Sequence, residues 1–280
     1  MKRITLVLPC YNEELNVREA YRRLNALAAQ LPQYELRFLF IDNASRDGTV
    51  AVLRELAAQD PRVQVIVNAR NFGHLRSPMH GFFQAEGNAV GFVASDLQDP
   101  PEIFVEMIRE WEKGFPIVAA VKTTSEENPL MYRIRTAYYK LIARLTNVEV
   151  IEHYTGFGLY DRSVVEHLRR GYRDPYPYFR GMIAELGLPH ATVHYNQARR
   201  ERGITKNNWY TLYDIAMLGI TNLSKVPLRV VIFAGFIYAV LSFLAGMFYL
   251  VSKLVFWSSF TLGVAPLVLG LFFLVSVQLI

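Results

Sequence analysis

Hydrophobic and polar positions alternate in two different ways along roughly the first 120 residues of the chain. Short apolar runs predict strands at residues 4–8, 36–41, 63–67, 89–95 and 117–121. Segments with apolar side chains at every third or fourth position predict helices at residues 12–31, 49–59, 77–86 and 102–113. Strands that alternate with helices in this manner predict an α/β fold with a mostly parallel sheet and helices on both faces.

The pattern changes near the end of the chain, where charged residues disappear. Residues 230–251 contain no charge, residues 254–280 contain none, and only Lys253 separates the two runs. Each run is long enough to cross a hydrocarbon layer of about 30 Å. We therefore predict a two-helix transmembrane hairpin, whose second helix is interrupted by the end of the sequence. A pair of buried core helices is the alternative.

Composition changes this picture in only three respects. Lys2 and Arg3 precede a short apolar run that ends in a polar segment, which is not a signal-peptide pattern, so we expect the first domain to be cytoplasmic. The single cysteine, Cys10, excludes an intrachain disulfide and suits a small buried apolar role. The net charge of +5 favours an anionic membrane surface over nucleic acid once the hairpin is taken into account.

Polar loops follow four of the predicted strands, at residues 11–14, 42–47, 68–73 and 95–99. In an open α/β sheet, the carboxyl ends of parallel strands meet at one edge, and ligands bind there. The sequence therefore predicts a shared ligand groove along that edge.

The last of these loops, within residues 93–102, carries the most distinctive chemistry. Asp96, Gln98 and Asp99 lie within four positions, followed by Pro100 and Pro101. Carboxylate and amide oxygens are suitable ligands for a divalent cation, Mg²⁺ or Mn²⁺. Asp99, directly before the two prolines, is equally typical of a helix N-cap, and we favour that interpretation for Asp99 but not for Asp96.

Three later segments have open interpretations. Residues 128–147 predict an amphipathic helix whose basic face, with Arg133, lies either on a membrane or in water. The glycine-spaced aromatic residues 154–161 suggest a tight turn or a close approach of backbone to a ligand. The basic residues between 199 and 206 bind either a phosphate or anionic headgroups.

Six motifs in sequence resemble family 2 glycosyltransferases, and specifically the membrane-anchored polyprenyl-phosphate branch that includes dolichol-phosphate mannose synthase. They are LPCYNEE (8–14), IDNASRDGT (41–49), NFGH (71–74), SDLQDPPE (95–102), TGFGLYDR (155–162) and RERGITK (200–206). The resemblance implies a GT-A fold in a catalytic domain at residues 1–206, a juxtamembrane interfacial helix at 207–225 and the hairpin at 226–280. It also implies an integral membrane enzyme, inverting, that uses a UDP- or GDP-sugar, a divalent cation and a polyprenyl-phosphate lipid.

The resemblance assigns roles to individual residues of this chain. The nucleotide-binding set is Pro9, Tyr11, Glu13, Asp42, Asn71, Ser95 and Asp96. Asp96 and Gln98 would hold the metal, and Arg133, Arg200, Thr205 and Lys206 would bind the acceptor phosphate. Asp96, Arg200 and Lys206 form the implied catalytic set.

The chain departs from the family pattern at three positions. Asn43 stands where the family often has a second Asp, Ala94 replaces the first Asp of Asp-x-Asp, and Gly156 stands where some members carry a carboxylate. A lipid phosphate is already ionised near pH 7, because its second pKa is about 6, and needs no strong base. Gly156 thus suits a phosphate acceptor better than a sugar hydroxyl.

Other functions fit the sequence less well. No Gly-x-Gly-x-x-Gly follows the first strand and no P-loop is present, which disfavours nicotinamide enzymes and NTPases. A polysaccharide synthase-like transferase with a hydroxyl acceptor remains open, as does a non-catalytic membrane protein that binds nucleotide sugars. The sugar, the base and a homo-oligomeric state are not decided by the sequence.

Overall fold

A computed structural model describes residues 1–124, 146, 148, 150–171, 174, 176–197, 209–257 and 264–279. The strands are β1 (Lys2–Cys10), β2 (Tyr34–Asp42), β3 (Val63–Val67), β4 (Ala89–Phe92), β5 (Ile117–Thr124), β6 (Tyr154–Asp161) and β7 (His190–Asn196). The helices are α1 (Glu14–Gln30), α2 (Thr49–Gln59), α3 (Gly73–Gln84), α4 (Phe104–Glu112), α5 (Arg162–Gly171), α6 (Phe179–Glu185), α7 (Trp209–Leu223), α8 (Val226–Val255) and α9 (Val264–Leu279). The chain divides into two compact units, residues 1–222 and 223–280.

The first unit is built on one seven-stranded sheet of order β3-β2-β1-β4-β6-β5-β7. β1 pairs in parallel with both β2 and β4, β2 pairs in parallel with β3, and β5 pairs in parallel with β7. β6 alone runs antiparallel, against β4 on one side and β5 on the other. The predicted α/β fold with a mostly parallel sheet is confirmed.

Helices cover both faces of this sheet, as the alternating pattern predicted. Leu24 of α1, Leu53 of α2 and Met107 of α4 pack in one buried cluster. On the other face, Phe82 of α3 and Val165 of α5 belong to a second buried cluster, together with residues of α6. Burial on both faces explains why the central strands read as continuous apolar runs rather than as alternating ones.

The tight turn considered for residues 154–161 was wrong, because this segment is the largely buried strand β6. Gly158 allows close strand packing, since a Cβ added there would lie 2.6 Å from the Val118 carbonyl oxygen of β5. Gly156 instead has a backbone conformation that favours glycine, with φ of 102°. The other interpretation, a close approach of backbone to a ligand, stays a prediction.

Strand β4 also ends earlier than expected, at Phe92 and not near Ser95. The Val93 N–H still donates to the Val7 carbonyl at 3.1 Å, so the chain follows β1 for one more residue before it leaves the sheet. A short 3-10 helix, Pro101–Ile103, then leads into α4. Residues 93–100 form a loop at the carboxyl edge of the sheet.

The second unit contains α8 and α9. Over the part of the chain that the structure describes, α8 is the one helix long and apolar enough to cross a membrane. α9 has 16 residues and packs on α8, where the Ser242 hydroxyl donates to the Phe272 carbonyl at 3.2 Å. The two-helix transmembrane hairpin therefore remains a prediction.

Candidate active site

The carboxyl ends of six strands meet at one edge of the sheet. β1 to β4 are mutually parallel, and β5 has the same direction as β4 because β6 is antiparallel to both. β7 is parallel to β5, so its carboxyl end lies at this edge too. The loops after β1, β2, β3 and β4, at residues 11–13, 43–48, 68–72 and 93–100, therefore line a common border of the sheet.

The loops after β1 and β2 are joined by hydrogen bonds between side chains and backbone. The Asn12 N–H donates to Ser45 Oγ at 2.8 Å, and the Arg46 N–H donates to Asn12 Oδ1 at 2.8 Å. Asn12 and Ala44 both have positive φ, at 54° and 59°, which folds the two loops towards each other. Tyr11, assigned to nucleotide binding by sequence, lies in this joined segment.

Two buried carboxylates help to shape the same region. Asp42, fully buried at the end of β2, accepts the Ser45 N–H on Oδ2 at 2.9 Å and the Ser45 hydroxyl on Oδ1. Glu13, 8% exposed, accepts the Asn16 amide on Oε2 at 2.6 Å, and its own N–H donates to Thr49 Oγ1 at 2.9 Å. Both predicted nucleotide-binding residues thus lie at the edge, and in this structure they order the loops.

Asn43 holds the loop after β3 through its side-chain amide. Its Nδ2 donates to Asn71 Oδ1 at 2.9 Å and to the Gly73 carbonyl at 3.1 Å. Its Oδ1 accepts the Phe72 N–H at 2.8 Å and the Asn68 amide at 3.3 Å. We call these contacts the Asn43 clamp. An Asp at position 43 would lack both donor protons, which explains the first departure from the family pattern.

Sequence reasoning assigned Asn71 to the nucleotide and noted Asn43 only as a departure. The structure gives the two side chains one shared hydrogen bond, and Asn71 Oδ1 also accepts the Gly73 N–H at 2.7 Å. Two asparagines 28 positions apart were the signal available in the sequence. Nothing in their spacing indicates that they meet.

The loop after β4 brings together three more of the predicted residues. The Ser95 hydroxyl donates to the Pro9 carbonyl at 2.7 Å, which joins this loop to the end of β1. Asp96 is half-buried and accepts the Gln98 N–H on Oδ1 at 3.3 Å. Leu97 between them has φ of 63°, in the left-handed region that residues other than glycine seldom adopt.

The N-cap prediction for Asp99 was wrong. The residue that precedes the 3-10 helix is Pro100, and no side chain caps the helix there. The buried Asp99 carboxylate instead accepts the Tyr195 hydroxyl on Oδ1 at 2.6 Å. Burial and the adjacent carboxylate raise the pKa of Tyr195 well above its ordinary value, so its hydroxyl stays protonated and donates. Asp99 therefore binds a distant residue on β7 instead of the N–H groups of the helix that follows it.

A short chain of hydrogen bonds continues from Asp99 to β5. Gln197 Nε2 donates to Asp99 Oδ1 at 3.3 Å, and Lys122 Nζ donates to Gln197 Oε1 at 2.6 Å. Sequence reasoning missed Lys122, Tyr195 and Gln197, because they are close only through the parallel pairing of β5 with β7. They place a positive charge and two amide or hydroxyl groups beside the Asp96 loop.

The residues that could hold a cation are few. Within the described ranges, no three His, Cys, Asp or Glu side chains form a group that could bind a metal ion. Asp96 and Gln98 provide a carboxylate and an amide oxygen on one loop, a donor set suited to a hard cation. Mg²⁺ in nucleotide sites is commonly held in this way, by one or two carboxylates together with the substrate's phosphates.

All four residues assigned by sequence to the acceptor phosphate lie outside the described residues: Arg133, Arg200, Thr205 and Lys206. The amphipathic helix predicted at 128–147 lies there for almost all of its length. Their two segments follow β5 and β7 in the chain, and the ends of these strands are neighbours, with Thr124 paired to Asn196.

Residues 5–169 match the family model described as glycosyl transferase family 2. The chain belongs to this family. An uncharacterized glycosyltransferase of Bacillus subtilis, YkcC, is 35% identical over 89% of the chain and 77% of its own length. The bactoprenol glucosyl transferase of Shigella phage SfV is 32% identical over 91% of the chain and 82% of its own length. The family predicted from the six motifs is confirmed.

Solved structures support the fold of this family 2 glycosyltransferase. Glucosyl-3-phosphoglycerate synthase of Mycobacterium tuberculosis, solved with Mn²⁺, UDP-glucose and phosphoglyceric acid, superposes with a TM-score of 0.56 at 18% identity, over 78% of this chain and 77% of that one. The mannosyltransferase PcManGT of Pyrobaculum calidifontis, solved with GDP-Man and Mn²⁺, gives 0.50 at 18% identity, over 72% and 58%. The predicted GT-A fold is confirmed.

Proposed function

We propose that this glycosyltransferase moves a sugar from a nucleotide sugar to a polyprenyl phosphate at the cytoplasmic face of a membrane. The observation that supports the reaction class most strongly is the edge of the sheet, where four loops carry the predicted nucleotide-binding residues next to Asp96. The acceptor is proposed from relatives at 30% identity or more that are named bactoprenol glucosyl transferases.

The donor's diphosphate would lie beside the loop after β4. We assign Asp96 and Gln98 to a divalent cation, Mg²⁺ or Mn²⁺, in agreement with Mn²⁺ in the two structural neighbours described above. When bound, the cation would neutralise charge on the departing diphosphate. Ser95 would hold this loop against β1 through its bond to the Pro9 carbonyl, and Tyr11, Glu13, Asp42 and Asn71 would border the base and ribose.

The acceptor needs little chemical activation. A phosphate monoester is ionised at pH 7, since its second pKa is about 6, so it can attack without a general base. Gly156 lies near the start of β6, at the carboxyl edge of the sheet, and offers no carboxylate there. Lys122, beside Gln197, adds a positive charge at the same edge. We propose that Arg133, Arg200, Thr205 and Lys206 hold the acceptor phosphate.

The membrane assignment is supported by α8. Its apolar side chains are largely exposed, including Phe233, Leu241 and Phe248. Exposure of such a large apolar surface to water is unfavourable and is typical of a surface that contacts a membrane or another protein. Lys225 precedes the helix and Arg229 lies in its first turn, while Lys253 Nζ lies over the Trp257 ring near its end, 4.7 Å from the ring centroid. Basic residues are enriched on the cytoplasmic side of membrane helices, which favours a cytoplasmic location for the start of α8. Trp side chains are enriched at the level of the lipid headgroups, which is where Trp257 would lie.

Sugar transfer into an extractable lipid tests the proposal. The full chain in detergent would be given polyprenyl phosphate, Mn²⁺ and radiolabelled UDP-glucose or GDP-mannose, and product would be measured in the organic phase. We expect transfer by the wild type and a loss of at least a hundredfold in Asp96→Ala. Asp174→Ala is the matched control, because Asp174 also accepts the N–H two residues on, at Tyr176, but on an exposed segment.

Three outcomes separate the alternatives. Nucleotide binding without transfer to any acceptor would support a non-catalytic binding protein. Transfer to a sugar hydroxyl but not to the lipid phosphate would support a polysaccharide synthase-like enzyme. Full transfer by Asp96→Ala would remove Asp96 from the active site.

A further inference from the structure

The loop after β4 is attached to the sheet near both of its ends by side-chain hydrogen bonds. Near its start, the Ser95 hydroxyl reaches the Pro9 carbonyl of β1. Near its end, the Asp99 carboxylate receives the Tyr195 hydroxyl from β7, 96 residues away in the chain. Asp96 and Gln98 lie between these two attachments, so their position depends on both.

The second attachment crosses a considerable part of the sheet. Two strands, β6 and β5, separate β4 from β7. The Tyr195 ring that reaches the loop is itself fixed, since it meets the Phe157 ring edge-on at a centroid distance of 5.2 Å, and Phe157 meets Phe104 at 5.6 Å. The hydroxyl is therefore presented by a rigid, buried aromatic cluster and not by a mobile side chain.

The chemistry of the contact favours a single geometry. Tyr195 is 5% exposed and Asp99 is 8% exposed, so water cannot easily replace either partner. A hydrogen bond from a neutral donor to a buried carboxylate is stronger than one between neutral groups and costly to leave unmade. Asp99 Oδ1 also takes the Gln197 amide, which fixes the carboxylate from a second direction.

We propose that Asp99 and Tyr195 form a positioning pair that holds the Asp96 loop against β7, so that cation-dependent binding of a nucleoside diphosphate requires the Tyr195 hydroxyl. This inference rests on the proposed function, in which Asp96 and Gln98 hold the cation. Neither Asp99 nor Tyr195 needs to touch the substrate, since both act through the backbone of residues 93–100.

Tyr195→Phe removes only the hydroxyl and keeps the ring contact with Phe157. The chain provides a matched control in Tyr21→Phe, because the Tyr21 hydroxyl donates to Asp60 Oδ2 at 2.9 Å and its ring meets Phe38 edge-on at 6.4 Å. Asp60 precedes β3 and therefore lies at the opposite edge of the sheet. The two variants lose the same kind of bond at different distances from Asp96.

The measurement is calorimetric binding of UDP and of GDP to the full chain in detergent, with Mn²⁺ and again with EDTA, together with the thermal midpoint. We expect Tyr195→Phe to raise the Kd in Mn²⁺ about tenfold, to leave the Kd in EDTA unchanged, and to lower the midpoint no more than Tyr21→Phe does. Tyr21→Phe should bind like the wild type. Equal Kd values for the two variants in Mn²⁺ would overturn the proposal, as would an equal loss for Tyr195→Phe in Mn²⁺ and EDTA.

Two variants of Asp99 provide a second test, in the same binding measurement. Asp99→Asn keeps an acceptor oxygen for Tyr195 and should bind within about threefold of the wild type, whereas Asp99→Ala should bind as weakly as Tyr195→Phe. If Asp99→Asn binds the nucleotide as weakly as Asp99→Ala does, the proposal that Asp99 and Tyr195 form a positioning pair is wrong. If Asp96→Ala loses Mn²⁺-dependent binding and Tyr195→Phe retains it, this inference alone fails. If the wild type shows no Mn²⁺-dependent binding of either nucleotide, the proposed function fails instead.

Discussion

The two halves of the sheet's carboxyl edge are built differently. The loops after β1, β2 and β3 are joined mainly to one another, through Asn12, Ser45 and the Asn43 clamp. The loop after β4 has its main side-chain attachments elsewhere, to the end of β1 through Ser95 and to β7 through Asp99. The first half is a mutually bonded group of loops, and the second is a span held near its ends.

The two kinds of construction correspond to two tasks of the proposed site, binding the base and ribose and binding the diphosphate with its cation. A base and ribose are recognised by fixed hydrogen-bonding groups, which favours loops whose conformations determine each other. A cation that binds a diphosphate needs a few oxygen ligands at fixed positions, with the remaining coordination left to the substrate's phosphates. Asn43 and Asp42 act as internal supports of the first half, whereas Asp96 lies on a loop that is held near both of its ends.

The largest expected effect is on the Asn43 clamp. Asn43→Asp removes two donor protons and places a carboxylate beside the Asn71 and Gly73 oxygens, so we expect a loss of about 3 kcal/mol in the free energy of unfolding. Chemical denaturation in mild detergent measures it. Asn25→Asp is the control, because Asn25 Oδ1 accepts a hydrogen bond from Arg62 Nη2 at 2.6 Å, and a carboxylate oxygen can accept this bond equally well. Equal losses in both variants would contradict the clamp.

A smaller loss is expected at Ser45. Ser45→Ala leaves Asp42 Oδ1 without its hydroxyl donor and leaves the Asn12 N–H without its acceptor, which should cost about 1–2 kcal/mol of unfolding free energy. Ser163→Ala removes a similar donor, since the Ser163 hydroxyl and N–H both bind Asp161 Oδ1. We expect only Ser45→Ala to weaken nucleotide binding in EDTA. If Ser163→Ala weakens it as much, the loops are not specific supports of the site.

In the second half, the effect on binding should exceed the effect on stability. Ser95→Ala removes one hydrogen bond to the Pro9 carbonyl, so we expect about 1 kcal/mol or less of unfolding free energy. Because this bond fixes one end of the Asp96 loop, the Kd for UDP in Mn²⁺ should rise several-fold while the Kd in EDTA changes little. If the Kd for UDP changes in EDTA but not in Mn²⁺, Ser95 supports the loops of the first half and not the Asp96 loop.

The smallest effect is expected at the junction of the halves. The Cys10 carbonyl accepts the Asn43 N–H of the first half at 2.9 Å, its thiol contacts Ser95 of the second half, and the residue is 2% exposed. Burial raises the pKa of the Cys10 thiol, so almost none of it is thiolate at pH 8. Iodoacetamide should leave the native chain unlabelled and label it once after denaturation, as mass spectrometry would record. Rapid labelling of the native chain would mean that the two halves separate in solution.

The sequence predicted the edge well because its signals are local. Each of Pro9, Asp42, Asn71 and Asp96 lies at or shortly after the end of a strand that the apolar runs identify, and parallel topology brings strand ends together. The strand β6 was missed because Gly156 and Gly158 interrupt the expected β-rich pattern. Crowding against β5 explains Gly158, and a positive φ explains Gly156.

The contacts within the site could not be predicted for a related reason. Asp99 before two prolines is good capping chemistry, yet a tyrosine 96 positions later provides a better buried partner. Asn43 looked like the loss of a carboxylate, although its amide makes bonds that no carboxylate could make. Both cases depend on pairs of residues far apart in the chain, which periodicity and spacing do not report.

The position of β6 also affects how the protein folds as it is made. β4 ends at Phe92, but its second neighbour in the sheet is complete only at Asp161. At about 5–20 residues per second, the ribosome needs roughly 4–14 seconds to make the intervening chain. During that time β4 has an open edge that could pair with another nascent chain. We therefore expect this enzyme to depend on chaperones while its sheet is half built, and to aggregate most readily when translation pauses between these two strands.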